Sequence, residues 1–263
     1  MNPALDATIL ALANRIDIGF SFILYLVRFT ICFSLIPGLG QGASGLAVRA
    51  SAILVLAAAS LSSAIVPSVP PGWGDVVIMV ASEVALGLLL GLLPQLIVAA
   101  THLAGSLAST AMGLGAAQLF DPSLGDQSSS LGKLYGDLAI IIFLLINGHH
   151  TVILAASGLA GTLPPGVFAP SPNLILQIAA ATGIIFKLGI LIASPIIATL
   201  LITQFVLGIL SKTVPSVNVF FISFPITVAI GLSLAAASLP SFVVVAERGI
   251  VDITHLLIRA VVG

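Results

Sequence analysis

The chain has 263 residues, of which 59% are hydrophobic and only 6% charged, with 8 Lys and Arg against 9 Asp and Glu for a formal net charge of -1. A water-soluble domain is roughly a quarter charged, so this composition excludes a soluble monomer. Without a basic run there is also nothing to grip phosphates, which excludes nucleic acid as a partner, and the single cysteine, Cys32, forbids an internal disulfide or a thiolate metal site.

Met1 to Asn14 carries Asp6 and no Lys or Arg ahead of the first apolar run. That is not the pattern of a signal peptide, so the run is expected to stay in the mature protein and to place it in a bacterial or organellar membrane. A hydrocarbon core of about 30 Å takes about 20 helical residues, and six apolar segments approach that length. Ile16 to Ile36 is interrupted by Arg28 and stops at Pro37-Gly38-Leu39-Gly40. Ser51 to Val66 follows Arg49 and stops at Pro67. Val76 to Ala100 holds Glu83 and Pro94; Leu138 to Leu159 is interrupted by Asn147-Gly148-His149-His150 and is readable as two half-helices. Leu174 to Leu210 holds Lys187 and Pro195, and Val217 to Ala246 holds Pro225; each is long enough for a kinked helix or a hairpin.

The fold class predicted is therefore all-α, a polytopic membrane protein of about six long apolar, partly Pro-kinked helices or hairpins, in a single membrane-associated domain over residues 1–263. Two stretches depart from the span pattern. Residues 101–137 are rich in Gly, Ala and Ser and predict a structured central loop. Residues 247–263 space Arg248, Asp252, His255 and Arg259 at three or four residues, which predicts an amphipathic C-terminal helix at an interface. Each loop carries one Lys or Arg or none, so charge assigns no orientation.

Charges inside apolar segments are costly, roughly 2.5 to 3.5 kcal/mol each on insertion scales, so Arg28, Glu83 and Lys187 are expected to face a partner, a cavity or an interface. Snorkelling along the helix serves Arg28 and Lys187 equally well. Glu83 precedes Gly87 by four residues and Gly91 by eight, which puts a carboxylate and two bare backbone patches on one helical face, a surface for close helix contact. His149 and His150 are adjacent and point about 100 degrees apart on a helix, so a helix-end or turn role fits better than a shared metal. No G-x-S-x-G, H-E-x-x-H, C-x-x-C or P-loop motif occurs, and neither catalysis, a cofactor nor a metal is expected.

Several pieces, taken in order, resemble the FliR/SctT (YscT-like) family of type III secretion export gates. They are Arg28 with Pro37, Arg49, Ser82-Glu83-Val84-Ala85-Leu86-Gly87 through Gly91, Met112-Gly113-Leu114-Gly115, Phe120-Asp121-Pro122, Asn147-Gly148-His149, and Ala193-Ser194-Pro195. The most specific is Leu207-Gly208 through Lys212, Pro215, Asn218 and Phe220, followed by Phe224-Pro225, with Lys212 and Ser216 where the family usually has Arg and Gln.

The resemblance implies a non-enzymatic subunit, a fused FliP-like and FliQ-like unit in a helical export gate of the inner membrane. FliP-like and FliQ-like partners, with FlhB-like and FlhA-like components, would surround it in a flagellar basal body or an injectisome. Unfolded exported proteins would pass through the pore. Met112, Gly113, Leu114, Gly115, Leu119, Phe120, Asp121 and Pro122 would lie in a loop plugging that pore, its glycines allowing hinge motion and its apolar side chains filling a dry lumen. Arg28, Arg49, Glu83, Gly87, Gly91, Lys187, Lys212, Pro215 and Asn218 would make interhelical or assembly contacts. From another class, a secondary transporter binding a small solute beside Glu83 and Lys187 is the alternative.

Overall fold

The structure is a computed structural model that describes residues 3–38, 43–62, 66–114, 130–158, 163–169, 172–213 and 219–262. The regular elements among them are α-helices: α1 (Pro3–Leu35), α2 (Ala43–Leu61), α3 (Trp73–Met112), α4 (Ser130–Leu145), α5 (Gly148–Ser157), α6 (Pro172–Thr213) and α7 (Val219–Val262). The chain is an all-α polytopic membrane protein. Four of the described helices are long and apolar enough to cross a membrane, and α4 with α5 makes a fifth span if that bent pair is counted as one.

At 1.5 Å per residue, the 40, 42 and 44 residues of α3, α6 and α7 extend roughly 60 Å, twice the hydrocarbon thickness. The two segments readable as kinked helices or hairpins are thus each one continuous helix. Prolines sit inside all three: Pro94, Pro195, and Pro225 with Pro240. Pro195 has no N–H to give to the Leu191 carbonyl one turn earlier, and the Ser194 hydroxyl donates to that carbonyl instead, at 2.9 Å. By contrast, the apolar part of α2, Gly45–Leu61, is too short to rank with the spans.

The half-helix reading of residues 138–159 matches α4 and α5, which meet at a 64° bend. Asn147 makes the bend by adopting left-handed angles (φ 58°, ψ 28°), and His149 and His150 follow in the first turn of α5. Asn and Gly tolerate that conformation best.

Two compact units divide the chain: residues 1–95, 147–178 and 252–263 form one, and residues 96–146 and 179–251 the other. The first unit packs α1 on α2 and α5. Its core includes a ladder of Tyr25, Phe29 and Phe33, one turn apart on α1, with ring centroids 6.4 and 6.1 Å apart. The second unit buries Ile97, Ala100, Ala104 and Ala108 of α3, Tyr135 and Ala139 of α4, Ile196 and Leu200 of α6, and Phe242 and Ala246 of α7.

The central stretch expected as a loop, residues 101–137, is helical at both ends, through Met112 and again from Ser130. Helix propensity argues against glycine there by about 1 kcal/mol per residue, but these glycines are contact points. A Cβ on Gly105 would collide with the backbone of Leu131 and Gly132, and one on Gly132 would meet the His102 carbonyl at 2.9 Å. Close approach of α3 and α4 favours small residues inside helices. At the other end, residues 247–262 continue α7, with Ile250 and Ile253 buried and Glu247, Arg248, Asp252 and His255 exposed.

Candidate functional site

Arg28 and Glu83, two of the charges placed in apolar segments, meet in the first unit. Both are fully buried. The guanidinium faces the carboxylate edge-on: Arg28 Nε donates to Glu83 Oε2 at 2.5 Å and Nη2 donates to Oε1 at 2.9 Å. The third nitrogen, Nη1, donates to the carbonyl of Ala156 at the end of α5, at 3.0 Å. Glu83 Oε1 also accepts the backbone N–H of Gly166 at 2.6 Å. Beneath the guanidinium lies the Tyr25 ring, its centroid 5.0 Å from Cζ, within cation–π reach.

An ion pair taken out of water is stabilising only when its remaining donors and acceptors are also met. The planar fork of arginine suits this, and a lysine would supply one point charge without the bidentate geometry. The hub ties together α1, α3, the end of α5 and the turn at Pro165 and Gly166. Gly166 (φ 81°) takes a conformation natural to glycine and lies close against Met79.

Gly87 and Gly91 continue the Glu83 face of α3, one turn apart, and both are buried against α1. A Cβ on Gly87 would stand 2.8 Å from the Arg28 carbonyl, and one on Gly91 2.6 Å from Leu35 Cβ and 2.9 Å from the Cys32 carbonyl. Gln95, one turn further, donates from Nε2 to the Leu35 carbonyl at 3.0 Å. The pairings Arg28 with Glu83 and Leu35 with Gly91 and Gln95 show that α1 and α3 run in the same direction. Four successive turns of one face thus contribute a charge, two close contacts and a hydrogen bond.

In the second unit, α3 ends at Met112 in a Schellman turn: Gly113 (φ 80°) gives its N–H to the Thr110 carbonyl at 3.0 Å, and Leu114 gives its own to Ser109 at 3.1 Å. Gln204 Nε2 donates to the Ala111 carbonyl at 3.1 Å. The buried Thr227 hydroxyl lies 3.1 Å from the Met112 carbonyl and 3.0 Å from that of Phe224, so it shares its proton between them. Met112 is buried against Gly231, where a Cβ would come within 2.5 Å of its side chain.

The family model described as "Bacterial export proteins, family 1" matches residues 20–253, nearly the whole chain and all of the geometry above. The chain belongs to the FliR family of bacterial export proteins. It is 31% identical over 204 residues to the flagellar biosynthetic protein FliR of Escherichia coli (strain K12), covering 75% of this chain and 77% of that protein. The corresponding protein of Pectobacterium carotovorum subsp. carotovorum is 33% identical over 179 residues, 68% and 69% of the two chains. That of Bacillus subtilis (strain 168) is 26% identical over 245 residues, 91% and 93%.

Of the residues that the resemblance to FliR singled out, the structure joins Arg28, Glu83, Gly87 and Gly91 at one helix pair. Arg49 stands half-buried on α2, and Lys187 and Lys212 are exposed on α6. Met112, Gly113 and Leu114 form the end of α3, while Gly115, Leu119, Phe120, Asp121, Pro122, Pro215 and Asn218 lie outside the described residues. Sequence reasoning missed Gln95, although it is the next four-residue step after Gly91, and it missed Gly166, which the turn-forming Pro164-Pro165-Gly166 could have marked. Gln204 and Thr227 carried no such signal. Among the described residues no cluster of three or more His, Cys, Asp or Glu side chains is placed to hold a metal.

Proposed function

We propose that this chain is a core subunit of a type III protein export gate in the bacterial inner membrane, a structural and transport component with no catalytic role. The observation that carries the reading is the family match over residues 20–253, which takes in the long apolar helices. The flagellar biosynthetic names of its relatives favour a flagellar basal body over an injectisome. FliP-like and FliQ-like chains are its neighbours in the channel, with FlhB-like and FlhA-like components beside them, and unfolded export substrates are the cargo. The segment following α3, through Gly125, plugs the pore at rest. Arg49, Lys187, Lys212, Pro215 and Asn218 make contacts within the assembly.

Outward-facing apolar surface supports this reading. In the span windows of α6 and α7 only 28% and 17% of residues are buried inside the chain, leaving faces for lipid and sister helices. The transporter alternative placed a small solute beside Glu83 and Lys187; both Glu83 oxygens accept hydrogen bonds from Arg28, and Lys187 is exposed on α6, an arrangement that supports it less well.

Co-expression with FliP-like and FliQ-like chains from the same genome, followed by affinity purification through this chain, tests the assembly. Stable co-elution is expected. A chain that elutes alone and transports solute in liposomes would overturn the assignment. For the plug, deleting residues 115–125 in the assembled gate is expected to raise resting ion conductance, and unchanged conductance would count against it.

A further inference from the structure

Four helices of the second unit touch at one level. On α3, Ile97, Ala100 and His102 lie within ~8 Å of one another along the axis, and each marks a contact. A Cβ on Gly249 of α7 would stand 2.9 Å from Ile97 Cδ1 and from Leu188 Cδ1 of α6, one on Gly189 of α6 3.1 Å from the Ala100 carbonyl, and one on Gly132 of α4 2.9 Å from the His102 carbonyl. These glycines have charged neighbours in sequence. Lys133 follows Gly132, with Asp137 one turn further; Lys187 precedes Gly189 by two residues, and Glu247 and Arg248 precede Gly249. The three glycines are buried and the five charged side chains are exposed, so a layer closed inside by bare backbone carries charge outside.

This layer holds every Asp, Glu, Lys and Arg among the described residues of the second unit except Lys212. None of the five is ion-paired to another described residue. A headgroup plane would stand where an apolar stretch ends. Here α6 runs without Asp, Glu, Lys or Arg over residues 172–186 before Lys187 and over residues 188–211 after it, about 22 and 36 Å of helix. Phe186 and Ile190, on either side of Lys187, are 62% and 55% exposed, and Leu134 beside Lys133 is 52% exposed. Charges thus project from a surface that is apolar above and below them. Within an apolar surrounding each is costly unless an opposite charge meets it.

We propose that this layer is a charged girdle matched by sister subunits of the gate: Lys133, Lys187 and Arg248 meet carboxylates of neighbouring chains, and Asp137 and Glu247 meet their cations. The inference rests on the assembly reading given above and adds which surface meets the neighbours and by what chemistry. Apolar faces attract without fixing an axial position, because sliding one helix along another exchanges one apolar contact for the next. Opposite charges at one height fix that register, as the flanking charges of a coiled coil do. A neighbour docked at the wrong height loses the pairs and leaves its own charges against apolar helix, so the girdle also rejects misplaced neighbours.

The test combines recovery of sister chains with zero-length cross-linking. The chain is co-expressed with the FliP-like and FliQ-like chains of the same genome and purified through an affinity tag as wild type, Lys187→Glu, Glu247→Lys, Lys187→Arg and Arg15→Glu. Arg15 is an exposed charge of α1, outside the layer. Lys187→Glu and Glu247→Lys are expected to lower recovery of the sister chains by at least about 10-fold with the melting temperature of the isolated chain unchanged, while Lys187→Arg and Arg15→Glu stay at the wild-type level. A carbodiimide, which joins an amine directly to a carboxylate, is expected to link Lys187 or Lys133 of the wild-type complex to a sister chain, as located by mass spectrometry. If the wild type brings down no sister chain, the assembly reading fails and this inference with it. If it does bring them down, recovery of either reversal at the Arg15→Glu level, or a link from neither lysine, overturns the girdle and leaves the assembly reading standing. A fall in melting temperature with both reversals would also overturn it, because the loss would then belong to the chain's own fold.

Discussion

Arg28 and Glu83 exclude water from each other completely, and that makes single substitutions there asymmetric. Removing one partner leaves a buried charge with no counter-ion, a loss of about 3–5 kcal/mol, whereas replacing both by apolar groups of similar volume often costs little. Glu83→Ala is expected to cut recovery of the assembled complex well below wild type while synthesis of the chain holds, read by affinity purification against total immunoblot. The pair Arg28→Met with Glu83→Leu is expected to recover more complex than either single change. Recovery that falls additively in the double variant would deny the coupling. Much of this hub was legible in the sequence, because a charge in an apolar run is rare enough to be noticed. Its backbone partners were not. The Ala156 carbonyl and the Gly166 N–H belong to the main chain, and no side-chain type announces that a particular peptide group will face a carboxylate or a guanidinium.

Helix pairs depend on where the backbone is bare. Gly87→Ala places a methyl group 2.8 Å from the Arg28 carbonyl, and forcing extra volume into a close contact typically costs about 1–3 kcal/mol. Thermal unfolding in detergent is expected to shift downward for Gly87→Ala. The control is Gly183→Ala on α6, where nothing lies within 4 Å of the added carbon; this change is expected to leave the isolated chain unchanged or slightly more stable, since alanine favours helix by up to about 1 kcal/mol. Equal destabilisation by both would deny that the α1–α3 contact sets the difference. Element lengths were less legible than element types. The glycines between residues 101 and 137 read as loop formers because composition alone does not distinguish a glycine that turns the chain from one that admits a neighbouring helix. Gly105 and Gly132 do the second, and Gly113 the first.

For the whole molecule, the unanswered surface is the apolar exterior of α6 and α7. Leu201, Phe205 and Ile209 of α6 are exposed at four-residue steps, and Gly208 beside them has nothing within 4 Å of a Cβ position. If a partner helix packs there, Gly208→Leu is expected to lower co-purification of FliP-like and FliQ-like chains several-fold while the melting temperature of the isolated chain stays the same. Co-purification at the wild-type level would assign this face to lipid. Hydropathy could not have made this distinction, because acyl chains and leucines present the same surface to a helix.

The buried arginine also constrains how the protein is made. Glu83 follows Arg28 by 55 residues, the Gly166 N–H follows Glu83 by 83, and the Ala156 carbonyl follows Arg28 by 128. At about 5–20 residues per second, the ribosome exposes Arg28 roughly 3–11 s before its counter-ion exists. An unpaired cation at the centre of a bilayer costs roughly 2.5 to 3.5 kcal/mol on insertion scales, so the first helix is expected to keep Arg28 hydrated until the third helix brings Glu83 to it.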